Sequence, residues 1–243
     1  MKYTQLIDLF QRARKDPQLA VVEGVQALKH AARFQAKLIH IVTCDLDQLE
    51  AFLTELAPDV KAHIMSIVES VDSEIFNQLS PQPPRTQVIA IARRVSYNLK
   101  KIEVLKPLVL LEDPRDLENI GAVIRVSAAA DIAGVCITGP ADIWHPAVIR
   151  GAAGLHWALP VINIEVEDCA HLNRPLIALD PAGKSSDEVQ IPANTVLIFG
   201  TERHGISKNL LTKSDEIIRL PMKAGVSSLN LATTVAATLY SIR

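Results

Sequence analysis

Three short stretches of this 243-residue chain bring together residue types that could do chemistry. One is Asn119-x-Gly121-x-x-x-Arg125, the second is Gly200-Thr201-Glu202-x-x-Gly205, and the third runs from Leu220-Pro221-Met222 through Gly225 to Ser228-Leu229-Asn230. Glycine adds no side-chain bulk and tolerates positive φ, so Gly200, Gly205 and Gly225 would let backbone amides and carbonyls approach a flat or charged ligand. A glycine so placed can equally just end a strand or a turn. Arg125 offers a guanidinium that stays charged at any working pH. Ser228 offers a hydroxyl, and a serine at the start of a helix is also a good N-cap.

Several familiar chemistries are absent. No G-x-G-x-x-G follows a strand, and there is no G-x-x-x-x-G-K-[ST] or H-E-x-x-H. Gly205-Ile206-Ser207-Lys208-Asn209 fails the serine-hydrolase pattern G-x-S-x-G at its last position. His145, His156 and His204 lack ligand spacing and read as surface or capping residues, so no metal is expected. Cys44, Cys136 and Cys169 are few, odd in number and far apart, as buried thiols of a reducing compartment would be. A net charge of −2 gives no bulk attraction for nucleic acid, so a polyanionic partner must be held by a local patch. With 49% hydrophobic and 21% charged residues the chain can bury a core. It has neither the roughly 18 consecutive apolar residues of a membrane span nor a secretory signal, and a cytoplasmic location is expected.

The elements that must position these stretches follow from hydrophobic spacing. Beyond Pro107, short apolar runs alternate with helical ones. Strands are predicted at Leu108–Leu111, Val135–Thr138, Leu159–Ile164, Pro175–Leu179, Val196–Phe199 and Ile217–Leu220. Helices are predicted at Glu118–Ala130, His145–Ala153, Ser207–Thr212 and Ser228–Ile242. Near-continuous apolar strands separated by helices imply a parallel sheet covered on both faces, with ligands in the crevice beyond its carboxyl ends. All three chemical stretches follow such strands. Residues 1–95 read as a smaller mixed domain, with helices at Thr4–Lys15, from about Glu23, and at Asp47–Ala57, Asp59–Val68 and Asp72–Leu79. Its strands are Lys37–Thr43 and Gln87–Ala92. Residues 96–106, closing on Pro107, form the candidate linker, and 107–243 the second domain.

Taken together, the three stretches resemble the SpoU branch of the SPOUT RNA methyltransferases. Asn119, Gly121 and Arg125 match its N-x-G-x-x-x-R, and Gly200, Thr201, Glu202 and Gly205 its G-[ST]-E-x-x-G. Leu220-Pro221-Met222 with Ser228-Leu229-Asn230 matches its [IL]-P-M and S-L-N. The likeness spans about 108–243. A weaker one links Val22–Leu28 and Thr86–Ala90 to the ribosomal-protein-like substrate-binding module that often precedes this domain. Three positions depart from the family pattern. Leu117 stands where a Pro is common, Ala152-Ala153-Gly154 replaces S-x-G, and Gln87-Val88 replaces Gln-Gly.

The resemblance implies an α/β protein whose C-terminal SPOUT domain carries a trefoil knot, a homodimer, and S-adenosylmethionine bound by Gly200, Thr201, Leu220, Met222 and Leu229. It implies methyl transfer to a ribose 2′-hydroxyl of structured RNA, ribosomal before transfer RNA; a non-catalytic RNA-binding protein that keeps the fold is the alternative. Arg125 would grip a phosphate and stabilise the forming alkoxide, or act as the base. Ser228 and Asn230 would orient the hydroxyl or Arg125, Asn119 would shape the Arg125 loop or touch RNA, and Glu202 would fix the cofactor loop or a dimer contact. Arg85, Arg93, Arg94, Lys100 and Lys101 are candidate phosphate contacts.

Overall fold

A computed structural model describes residues 3–201, 204–226 and 228–242. The chain divides into two compact units, one made of Met1–Val95 with Trp144–Ala158, the other of Ser96–Ile143 with Leu159–Arg243.

The first unit is a four-stranded sheet with helices. Its strands are β1 (Leu19–Glu23), β2 (Leu38–Thr43), β3 (Val68–Ser70) and β4 (Val88–Arg93), in the order β1-β4-β2-β3; β4 is antiparallel to both neighbours and β3 is parallel to β2. The helices are α1 (Tyr3–Ala13), α2 (Val25–Arg33), α3 (Leu46–Leu56), α4 (Pro58–Ile67) and α5 (Ser73–Phe76). Leu6, Phe10 and Ala13 of α1 fall on one face and pack with Val21, Val42, Phe76 and Ile89. Asp45 caps α3 by accepting the Gln48 N–H at 2.8 Å, and Pro58 opens α4 where its missing N–H costs nothing. Strands β1 and β3 are absent from the sequence reading. Both are short, and β3 continues the pattern of α4 until its pairing with β2 decides its conformation.

The segment Trp144–Ala158, expected within the C-terminal domain, completes the first unit instead. It contains α7 (Pro146–Gly151), capped by His145, which accepts the Ala147 N–H. Arg150 donates to the buried carboxylate of Glu23 at 3.2 Å, a carboxylate that also accepts from Arg14 and Ser80, each at 2.7 Å. His30 Nδ1 donates to the Ala153 carbonyl at 2.8 Å, and Trp157 Nε1 to the Arg93 carbonyl at 3.1 Å. At Gly154 (φ +75°) a Cβ would stand 2.2 Å from the Ala27 carbonyl oxygen, so only glycine lets the segment lie this close to α2. The same packing corrects the reading of His156, which is fully buried against Trp144 with ring centroids 5.0 Å apart, rather than at the surface or a cap. Sequence order assigned the segment to the second domain because it lies between two of that domain's strands, and its actual partners are tertiary.

The second unit is a six-stranded, all-parallel sheet in the order β10-β8-β9-β5-β6-β7. Its strands are β5 (Leu108–Leu111), β6 (Gly134–Ile137), β7 (Val161–Asn163), β8 (Leu176–Ser185), β9 (Val196–Phe199) and β10 (Glu216–Arg219). Every residue of β5, β6 and β9 is buried, as a sheet covered on both faces requires. Helices α6 (Leu117–Ala129) and α9 (Leu231–Ser241) pack together. Leu108, Leu110, Cys136, Ala178, Val196 and Ile198 form a core with Leu210 of α8 (Lys208–Lys213). Burial pushes the Cys136 thiol up to about 12, and the Cys169 thiol upward as well.

Residues 96–106, the candidate linker, carry local structure. Leu99–Lys101 makes a single 3₁₀ turn capped by Asn98, Ile102 is buried, and Arg174 donates to the carbonyls of Glu103 and Lys106. Among the described residues no helix is long and apolar enough to cross a membrane.

Candidate functional site

The chain leaves β5 toward β6 and β7 on one side, while β9, β8 and β10 lie on the other, so the carboxyl ends of β5 and β9 meet at a topological switch point. A cleft of about 400 Å³ opens beside it, within the range of small-molecule sites. Three backbone segments build its walls.

The first follows β9. Thr201 and Gly205 exchange both backbone hydrogen bonds, at 3.1 and 3.0 Å, and the His204 N–H donates to Thr201 Oγ1 at 3.0 Å. A Cβ on Gly200 would stand 2.1 Å from the Gly205 carbonyl carbon, so the hairpin closes only because position 200 has none. The far end is held where Glu112 Oε2, just past β5, accepts the Ser207 N–H at 2.7 Å.

The second wall is β8 itself. Strand β10 pairs Ile217 with Ala178 and then Ile218 with Lys184, so residues 179–183 leave the ladder and loop out while β10 continues. Gly183 makes the return possible, since a Cβ there would meet the Ile217–Ile218 backbone at 2.6 Å. The excursion presents Leu179, Asp180 and Pro181 to the cleft.

The third segment joins β10 to α9. It turns at Gly225 (φ +90°), where the Val226 N–H donates to the Lys223 carbonyl, and brings Leu220, Met222, Ser228 and Leu229 to the cleft. The helix begins at Leu231, later than the sequence reading placed it, and its cap is Asn230 rather than Ser228. Asn230 Oδ1 accepts the Ala232 and Thr233 N–H groups at 2.9 and 3.3 Å. With that oxygen engaged, the amide nitrogen of Asn230 donates to Asn119 Oδ1 at 2.9 Å, tying the start of α9 to α6.

All five residues named for the cofactor, Gly200, Thr201, Leu220, Met222 and Leu229, line this one cleft, and Ser228 joins them. Asn119 and Asn230 meet each other. Arg125 stands elsewhere, exposed on α6 and outside the cleft lining, with no hydrogen bond or ion pair among the described residues. Glu202 lies outside the described residues. Sequence reasoning missed Leu179, Asp180, Arg219 and Thr234, which also line the cleft. A signal for the first two was present in Asp180-Pro181-Ala182-Gly183, a turn-forming stretch at a strand's carboxyl end.

The lining suits a ligand with one flat apolar part and few charges. Leu179, Phe199, Leu220, Met222 and Leu229 supply apolar contact, and Gly200 and Gly205 add backbone without side-chain bulk. An adenine ring carrying a short polar tail fits that description. The helix start that borders the cleft, at Leu231 of α9, already has its Ala232 and Thr233 N–H groups capped by Asn230.

Comparison with known proteins agrees. The chain is 27% identical over 207 residues to the 23S rRNA (uridine(2479)-2′-O)-methyltransferase of Streptomyces viridochromogenes, covering 79% of this chain and 71% of that one. It is 23% identical over 233 residues to the 23S rRNA (guanosine(2553)-2′-O)-methyltransferase of Bacillus subtilis, covering 92% and 88%. The fold matches the crystal structure of the SpoU methyltransferase AviRb from Streptomyces viridochromogenes in complex with AdoMet. The TM-score is 0.78, with 21% identity over 99% of this chain and 96% of that one. Residues 106–240 match the SpoU rRNA Methylase family. This match covers more than half of the sequence and includes all three chemical stretches, and the chain belongs to the SpoU rRNA methylase family.

Proposed function

We infer that this chain transfers a methyl group from S-adenosylmethionine to a ribose 2′-hydroxyl of ribosomal RNA. The observation that carries the reading is the convergence on one cleft of residues from two separate segments, Gly200–Thr201 and Leu220–Leu229, chosen on sequence as a donor site. The relatives named above as 23S rRNA 2′-O-methyltransferases support the same acceptor class.

The donor's sulfonium supplies an already activated methyl group. The protein must therefore bring the sugar oxygen into line and help it lose its proton. In this reading Gly200, Thr201, Leu220, Met222 and Leu229 hold the donor, largely through backbone. Ser228, which shares the cleft, orients the 2′-hydroxyl. The Asn230–Asn119 hydrogen bond keeps the Ser228 segment and α6 in register. Arg125 grips the neighbouring phosphate and stabilises the oxygen as negative charge develops, while water or phosphate takes the proton.

A homodimer, a trefoil knot through the donor loops and a cytoplasmic location belong to the same reading. The 1–95 region presents folded RNA. Arg85, Lys100 and Lys101 are exposed and suited to phosphates, whereas Arg93 and Arg94 already donate to Gln18 and to the Leu19 carbonyl.

The test is titration calorimetry with S-adenosylmethionine, then mass spectrometry of ribosomal and transfer RNA from cells with and without the protein. Arg125→Ala is expected to abolish transfer and leave donor affinity within about twofold, because Arg125 acts on the acceptor. Turnover at the wild-type rate in that variant removes Arg125 from the mechanism. Absence of donor binding selects the non-catalytic alternative.

A further inference from the structure

The excursion of β8 carries one carboxylate into the cleft, and we propose that Asp180 senses the donor's charge, favouring the sulfonium of S-adenosylmethionine over the neutral thioether of S-adenosylhomocysteine. The inference rests on the donor reading above and adds the residue that tells fresh donor from spent product.

Asp180 and Arg219 are the ionisable side chains among the described residues of the lining. Their surroundings differ. Arg219 is exposed at the margin and donates to the Gly183 carbonyl. Asp180 is half-buried. Its Oδ1 accepts the Ala182 N–H at 2.9 Å, which fixes the carboxylate within the loop. Its Oδ2 lies 3.9 Å from the place a Gly205 Cβ would occupy, facing the hairpin that forms the opposite wall. No hydrogen bond or ion pair among the described residues engages Oδ2, so its charge is available to a ligand.

The donor carries three charges, an ammonium, a carboxylate and the sulfonium. Ammonium and carboxylate are strongly hydrated and hydrogen-bond well at an exposed margin, where Arg219 pairs with the carboxylate. A sulfonium is flanked by carbon and has no hydrogen to donate. Only Coulomb attraction can recognise it, and that attraction strengthens where water is partly excluded. A half-buried carboxylate opposite a glycine hairpin supplies this without steric bulk. After transfer the sulfur is neutral and the attraction vanishes, so spent product leaves more readily than fresh donor. The 179–183 loop, which breaks an otherwise continuous ladder, is what places this group in the cleft.

Calorimetry of the wild type, Asp180→Asn and Asp180→Ala, each with S-adenosylmethionine and separately with S-adenosylhomocysteine, tests the assignment. Asparagine keeps an oxygen for the Ala182 N–H and replaces the charged Oδ2 by a neutral amide nitrogen of nearly the same size. The expected result for Asp180→Asn is about a tenfold loss of S-adenosylmethionine affinity, equivalent to about 1.4 kcal/mol, with S-adenosylhomocysteine changed less than about twofold. Retained product binding shows that the variant is folded. Equal losses for both ligands assign the carboxylate to groups they share, the ribose hydroxyls or the ammonium, and overturn the proposal, as does no change in either. A wild-type protein that binds neither ligand overturns the donor reading itself.

Discussion

Replacing Gly200 by alanine tests whether the donor cleft depends on backbone closure. The added Cβ would lie 2.1 Å from the Gly205 carbonyl carbon, 2.2 Å from its oxygen and 2.4 Å from the Ile206 nitrogen. Ordinary contact begins near 3.4 Å, so the facing strand of the hairpin must retreat by about 1.3 Å, the difference between 3.4 and 2.1. The obstructing atoms are backbone and cannot rotate away. Such a retreat breaks the paired Thr201–Gly205 hydrogen bonds, now 3.1 and 3.0 Å. At about 0.5–1.5 kcal/mol each, their loss amounts to about 1–3 kcal/mol. If donor binding must rebuild the hairpin, affinity for S-adenosylmethionine falls by roughly 5- to 150-fold. Gly225→Ala is the control. Its φ of +90° makes alanine strained, at about 1–2 kcal/mol, yet no atom lies within 4 Å of the new Cβ. Because Gly200 lacks a positive φ, its effect is steric and that of Gly225 conformational. Calorimetry with S-adenosylmethionine, beside a thermal melt of each variant, separates the two. Wild-type affinity in Gly200→Ala, with an unchanged melting temperature, would refute the argument that the closed hairpin forms the site.

Two further outcomes follow from the packing. Asn230→Asp keeps an acceptor for the Ala232 and Thr233 N–H groups but cannot donate to Asn119, so the melting temperature should hold while methyl transfer falls; a cycle with Asn119→Ala should give a coupling of about 1 kcal/mol in transition-state energy, and strict additivity would disprove the link. The buried Cys136 thiol, raised from 9.0 to about 12, predicts an alkaline limit to stability. Below pH 9 both folded and unfolded chains keep the proton. Between pH 9 and 12 only the unfolded chain releases it, so stability falls by up to about 1.4 kcal/mol per pH unit, and Cys136→Ala should flatten that limb in alkaline denaturation. An identical alkaline limb in the variant assigns the loss to other groups.

Much of the second unit is legible in the sequence because each β5, β6 and β9 residue is buried and the apolar runs are uninterrupted. Strands Leu108–Leu111 and Val196–Phe199 match the hydrophobic runs end to end. The cleft-lining positions Gly200, Thr201, Leu220, Met222 and Leu229 are equally legible, since they lie in loops that follow strand ends. The first unit is less so. Leu19–Glu23 and Val68–Ser70 are too short to carry a period, and their partners β4 and β2 decide their conformation. Ser228 reads as a cap by type, but the helix starts where Asn230 satisfies its first N–H groups.

By itself, then, the sequence determined where strands and helices alternate in the second unit, which two loops after strands line the cleft, and which family their motifs belong to. These features are written in local spacing and residue type. Tertiary structure alone decided that Trp144–Ala158 completes the first unit, that Glu23 holds three polar partners in its interior, and that β8 leaves its ladder to offer Asp180. Each depends on contacts between residues far apart in the chain, whose energies no local pattern encodes.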